Sequence, residues 1–168
     1  LPGAILDIAL EGVPPDRLVS AWSKEVGSMM PALGWSAEYI CSRVFDGGAS
    51  LVISAPIDVL YTACELNELA FHRAVAKLKG EPLADLGPSI AVMSKLAAGE
   101  SKPRLLAMQA AAASHHVPFL WDDDEVSVGF GKNAVTWPAE QVPEPHSVDW
   151  SAIGSVPLGI VTGTNGKS

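Results

Sequence analysis

Apolar residues along the chain recur with two different periods, and the switches between them mark the elements. Residues 4–11, Ala-Ile-Leu-Asp-Ile-Ala-Leu-Glu, are rich in aliphatics and predict a strand. Pro14-Pro15-Asp16 ends it, and Asp16 is placed to cap a helix over residues 16–28. Leu18, Val19, Trp22 and Val26 fall on one face of that helix. Tyr39 to Phe45 reads as a second strand. Asp46-Gly47-Gly48 is a hairpin turn, because glycine reaches positive φ readily, and residues 50–54 return as a third strand. Ala55-Pro56-Ile57-Asp58 opens a helix over residues 57–79 with apolar positions at Leu60, Cys64, Leu66, Phe71, Val75 and Leu78, and Gly80 closes it. The order β-α-β-β-α over residues 1–85 predicts a two-layer α+β domain.

Gly87-Pro88-Ser89 breaks the pattern. Residues 89–98 and 103–114 then read as two helices, with Pro103 suited to the first turn of the second. Val117 to Trp121 is a short strand and Asp122-Asp123-Asp124 a polar turn. Glu125 to Phe130 and Ala134 to Trp137 alternate around Gly131-Lys132-Asn133 as a second hairpin. Residues 86–137 are therefore a helical and hairpin segment. Pro138, Pro143 and Pro145, with Glu, His and Asp between them, make residues 138–155 a linker. Val156 to Val161 is a buried-type strand that runs into a glycine loop.

Composition narrows the partners. Of 168 residues 48% are hydrophobic, enough for a packed core rather than disorder. The net charge of -8 disfavours nucleic acid and anionic lipid, although a local cradle of backbone N–H groups still admits a phosphate. Cys41 and Cys64 are too few and too far apart for a disulfide scaffold, and are expected as reduced, partly buried thiols. No signal peptide and no membrane-spanning run is visible, which points to the cytoplasm. The chain opens on Leu1 rather than Met, so a preceding segment is left open.

The stretch that carries chemistry is Leu158-Gly159-Ile160-Val161-Thr162-Gly163-Thr164-Asn165-Gly166-Lys167-Ser168. An apolar strand roots the loop. Gly163 and Gly166 let the backbone turn its N–H groups onto anionic oxygens. Lys167 adds a cation for the β- and γ-phosphates, and Ser168 offers its hydroxyl to Mg²⁺. The generic phosphate-loop pattern wants glycine where Val161 stands. The alternative is a tight Gly/Asn turn bearing an exposed lysine. Such a loop works with a helix behind it. The chain stops at Ser168 before one follows, so it is expected to be a fragment that does not hydrolyse ATP by itself.

Thr162 to Ser168 resembles the ATP loop of the Mur ligases, which also lacks the first glycine of the generic motif. The resemblance implies an ATP- and Mg²⁺-dependent ligase. In that family a carboxylate is activated as an acyl phosphate, with ATP as phosphoryl donor, and an amine then displaces the phosphate. It also implies that residues 156–168 begin an α/β Mur-type ATPase domain, with Gly163, Thr164, Asn165, Gly166, Lys167 and Ser168 holding phosphate and Mg²⁺. Catalytic residues are expected past Ser168. The region ahead of the loop is similar instead to cyanophycin synthetases. The similarity rests on the helix Leu60 to Ala70, and on His116 to Trp121 followed by Val126 to Gly131. No ATP-grasp domain follows here, which removes one of the two ligase sites of that enzyme. An amino-acid, peptide or polyamide substrate is implied.

Further candidates lie outside the loop. Glu65, Glu68 and His72 share a helical face and suit a metal, a basic substrate group or plain solvation. His115-His116 and Asp122-Asp123-Asp124 flank a strand. Neighbouring residues on extended chain point opposite ways, so a polar strand end and a charged turn is the simpler reading. His146, Asp149 and Trp150 lie in the linker, where adenine packing and simple solvation are the two options. Trp22, Trp35, Trp121, Trp137 and Trp150 share no register and are expected to pack in cores and interfaces. A rival function is a non-catalytic docking module for substrate or partner with an incidental glycine loop. A homo-oligomer is also left open.

Overall fold

The computed structural model describes residues 1–9, 12 and 14–157; Leu10, Glu11, Val13 and residues 158–168 lie outside the described residues. The chain is α+β and divides between Ser101 and Lys102 into two compact units. Membrane-spanning length and apolarity are absent from every helix among the described residues.

The first unit is a three-stranded antiparallel sheet with helices on one face. Its strands are β1 (Gly3–Ala9), β2 (Ile40–Phe45) and β3 (Gly48–Ser54), in the order β1-β3-β2. Strand alternation sends Ala4, Leu6 and Ile8 of β1, and Ala49, Leu51 and Ile53 of β3, toward the helices. Ile5, Asp7, Ser50 and Val52 face the other way, where the Ser50 hydroxyl donates to Asp7 Oδ1 at 2.6 Å. A two-residue turn, Asp46-Gly47, joins β2 to β3.

Two helices cover the inner face. Helix α1 (Pro15–Met29) buries Leu18, Trp22, Val26 and Met29 at the spacing of one apolar stripe. Its start departs from expectation. Asp16 is not the cap: Pro15 takes the first helical position and Asp16 lies in the first turn, where its charge suits the helix dipole. Helix α2 (Leu60–Lys79) starts three residues later than expected, because Val59 N–H bonds back to Pro56 O in a turn. Gly80 ends it in the left-handed conformation, at φ 73°. The buried positions of α2 are Thr62, Ala63, Leu66, Asn67, Ala70 and Ala74. Cys64, expected among them, is exposed, as is Cys41.

Asn67 joins three elements. Trp22 Nε1 of α1 donates to Asn67 Oδ1 at 2.9 Å, and Asn67 Nδ2 donates to Leu51 O of the central strand at 3.0 Å. Trp22 and Asn67 are almost wholly buried. Nearby, the buried Glu25 carboxylate of α1 receives Arg73 Nε at 2.8 Å and Lys77 Nζ at 3.3 Å from α2. Burial pushes the Glu25 carboxyl up, but the hydrogen bonds and charges of Arg73 and then Lys77 outweigh it and hold it below its ordinary value.

Helix α3 (Leu86–Glu100) completes the unit and corrects the boundary expected at residue 85, since Leu86, Ile90 and Ala97 pack on the first core. Gly87-Pro88-Ser89 is not a break. Asp85 Oδ1 accepts the Gly87 N–H, and Pro88 sits in a first turn that needs no N–H from it. The carboxyl end of α3 returns to the start of α2. Glu100 accepts the Tyr61 N–H at 3.1 Å, the Thr62 N–H at 2.8 Å and the Thr62 hydroxyl, while Ser101 Oγ donates to the buried Asp58. The two N–H groups have no local cap.

In the second unit, helix α4 (Pro103–Ser114) has Pro103 at its first position, as expected. It buries Leu105, Met108 and Ala112. Strands β4 (Phe119–Trp121), β5 (Glu125–Val128) and β6 (Val135–Pro138) form an antiparallel sheet in that order. Register places Val126 between Trp121 and Trp137, and Ser127 of β5 and Thr136 of β6 bond across those two strands. The stretch expected as a linker is packed instead. Val142 and Ile153 are buried, Arg104 pairs with Glu144 at 3.1 Å, and Phe130 N–H donates to Gly154 O at 3.0 Å. Gly129, at φ 79°, permits this approach, because a Cβ there would lie 2.4 Å from Gly154 O.

Asn67→Leu strands a buried indole N–H, so the first unit should lose about 2–4 kcal/mol and the melting temperature should fall by roughly 10 °C or more. Trp22→Phe should cost less in the Asn67→Leu background than in the wild type, a less-than-additive sum read from a double-mutant cycle by denaturant titration. A lowered Glu25 pKa contributes stability that is present above the unfolded value of 4.5 and lost as pH falls through the folded value. Between about pH 7 and about pH 3, the wild type should therefore lose more stability than Glu25→Gln, measured by urea midpoints at each pH.

Candidate functional site

The described residues place Glu65, Glu68 and His72 together, as expected, on the exposed face of α2. The face exists because the opposite side of the helix is committed to the sheet through Leu66, Asn67, Ala70 and Ala74. Glu68 follows Glu65 by three residues and His72 follows Glu68 by four, so the three side chains stack along one stripe. Neither glutamate has a hydrogen bond or ion pair among the described residues. His72 is tilted against Phe71, with ring centroids 5.4 Å apart.

Two residues belong to this face that the sequence did not nominate, Cys64 and Glu100. Cys64 reads as an apolar, partly buried position of α2, and Glu100 comes from another helix, so spacing along α2 carries no sign of it. Partial desolvation pushes the Cys64 thiol above its ordinary value, and the carboxylates of Glu68, Glu65 and Glu100 push it further. The thiol is therefore protonated near neutrality and a poor nucleophile. The face is suited to receiving a cation, an ammonium or a guanidinium, and not to covalent chemistry. Among the described residues no three His, Cys, Asp or Glu side chains are placed to hold a metal ion.

The other candidates resolve into structural roles. His115 and His116 do not lie on extended chain. His115 ends α4 and stacks flat on Trp150, centroids 4.5 Å apart, and His116 turns the chain at φ 57°. Asp122 Oδ1 accepts the N–H groups of Asp124 and Glu125 and closes the β4–β5 turn. Trp150 donates Nε1 to Pro145 O, so it is pinned rather than solvated. The Ser151 hydroxyl and then its backbone N–H donate to Asp149 and hold that carboxyl below its ordinary value. His146 is exposed. Trp22 and Trp35 are core residues, whereas Trp121, Trp137 and Trp150 are half-buried. Gly163, Thr164, Asn165, Gly166, Lys167 and Ser168 lie outside the described residues, as does the strand expected to lead into them beyond Pro157.

Replacing Glu65 and Glu68 by Gln removes two of the charges acting on Cys64. Its alkylation rate by iodoacetamide at neutral pH should rise, with the pH midpoint of the reaction moving down and Cys41 unaffected. Comparison of the chain with protein-family models and with curated proteins finds no match.

Proposed function

We propose that this chain is the amino-terminal part of an ATP- and Mg²⁺-dependent amide ligase of Mur type, cytoplasmic, with a cyanophycin synthetase-like region ahead of its ATP loop. The observation that carries the reading is the sequence from Val156 to Ser168, an apolar run followed by Gly163, Gly166, Lys167 and Ser168 in phosphate-loop order. The donor set fits the ligand. Backbone N–H groups and the Lys167 ammonium match phosphate oxygens, and the Ser168 hydroxyl is an oxygen ligand of the kind Mg²⁺ takes. Bound ATP supplies the phosphoryl group that activates a carboxylate; the residues named here bind and orient it.

The α2 face supports the other half of such a reaction. Two carboxylates one turn apart, without a partner among the described residues, hold a cationic group, so Glu65, Glu68 and His72 are the docking surface for a basic amino acid or a segment of a basic polyamide. The same face is what favours the second reading, a docking module with no catalysis of its own.

Both readings are tested on the full-length product of the gene by calorimetric titration and initial rates. Lys167→Ala should weaken Mg-ATP binding by about 10–100-fold, the worth of one charge-assisted contact. The Glu65→Ala, Glu68→Ala double variant should leave Mg-ATP affinity unchanged and raise KM for the amine substrate. Absence of ATP binding with Lys167 intact sinks the ligase reading. Unaltered amine KM in the double variant removes the docking surface.

A further inference from the structure

Among the described residues strand β2 is an outer edge of the first sheet, and the hairpin fixes which of its backbone groups are used. Phe45 and Gly48 oppose each other across a two-residue turn, and at the other end Ser54 N–H donates to Tyr39 O at 2.8 Å. Both ends set Cys41, Arg43 and Phe45 in the hydrogen-bonded pairs with β3. The N–H and C=O groups of Ile40, Ser42 and Val44 therefore point to the outer edge. All six side chains of β2 are exposed, on the helix side as well as the open side; Ile40 is 39% and Val44 47% exposed. The strand has no proline and no lysine, and its one charge, Arg43, lies on the open side, as does Asp7 of the other edge strand, β1.

The strand is complementary to itself. Two copies run antiparallel about a two-fold axis through Ser42 bring Ile40 opposite Val44 of the partner subunit, and Val44 opposite Ile40 of the partner subunit, on the helix side. Cys41 then lies opposite Arg43 of the partner subunit on the open side. The outward N–H and C=O groups of Ile40, Ser42 and Val44 form the new ladder. A centre at Arg43 would set guanidinium against guanidinium, and a centre at Cys41 would lose both apolar pairs. The strand's single charge is a cation in a chain of net charge -8, but just beyond the strand the same register sets Glu38 opposite Asp46 of the partner subunit, a like-charge pair that keeps the association weak.

We infer that β2 pairs with β2 of a second copy, making a continuous six-stranded sheet in the order β1-β3-β2-β2-β3-β1, with the helices of both copies on one side. A strand edge buries less than the roughly 1,600 Å² of a standard interface, so the dimer is weak and concentration-dependent.

Sedimentation velocity on the 168-residue chain should show a mass that rises with concentration from 17.6 kDa toward about twice that value. Val44→Lys, and Ser42→Pro, which removes an N–H that β3 does not use, should each weaken the association by roughly tenfold or more with the circular dichroism spectrum preserved. Mild oxidation of Arg43→Cys should give a covalent dimer through the partner's Cys41, whereas the wild type should give none. Should Ser42→Pro fail to fold, Val44→Lys carries the test. A wild type that stays monomeric at several hundred micromolar overturns the inference, even if an extended peptide occupies the edge instead. A dimer indifferent to both edge variants overturns it too, and so does direct cross-linking of wild-type Cys41 to the partner's Cys41.

Discussion

The first unit depends on one carboxamide. Asn67 is the point at which α1, α2 and the central strand become mutually fixed, because a single side chain accepts from Trp22 and donates to Leu51. Apolar contacts alone would let α1 slide along α2 at little cost. The buried Trp22 N–H, held by Asn67 Oδ1, and the buried Leu51 C=O, held by Asn67 Nδ2–H, do not, because any slip leaves polar groups without partners in a dry interior. Glu25, held by Arg73 and Lys77, repeats the logic one side of the interface further on, with charge in place of neutral hydrogen bonds.

How much of this was legible depended on the range of the interaction. Strand alternation and the glycine at position 47 wrote β1, β2 and β3 into the sequence, because a period of two and a local turn are read within a few residues. The inner face of α2 is legible in part: Leu66 is buried and Leu60, Phe71, Val75 and Leu78 pack on the core as expected, but Cys64 is exposed and the centre of the contact is made of Ala63, Ala70 and Ala74. Close approach of a helix to a sheet requires small residues, and smallness is a weak signal in a hydrophobicity pattern. Asn67 was invisible for the same reason, since an asparagine in a helix reads as surface until its partner, 45 residues away, is known. Glycine and proline at 87–88 read locally as a break, although a preceding Asp85 turns them into a helix start.

The candidate site divides the same way. Glu65, Glu68 and His72 were legible as a face because helical spacing alone decides which residues stand together. Glu100 was not, because it depends on a helix arriving from elsewhere, and the altered thiol of Cys64 was not, because partial burial, its largest cause, is set by packing. The histidines and aspartates of the second unit have nameable chemistry, but the structure spends it locally: His115 on Trp150, Asp122 and Asp149 on their own turns.

The carboxylate that α3 delivers to the first turn of α2 has a consequence for how this unit is inherited. The positive end of α2 is neutralised by a residue from the far end of the next helix, so the two helices form one cooperative piece despite the loop between them. A joint placed in that loop would leave the beginning of α2 bare. Recombination or fusion that respects the fold must fall after Ser101, at the seam where the second unit starts.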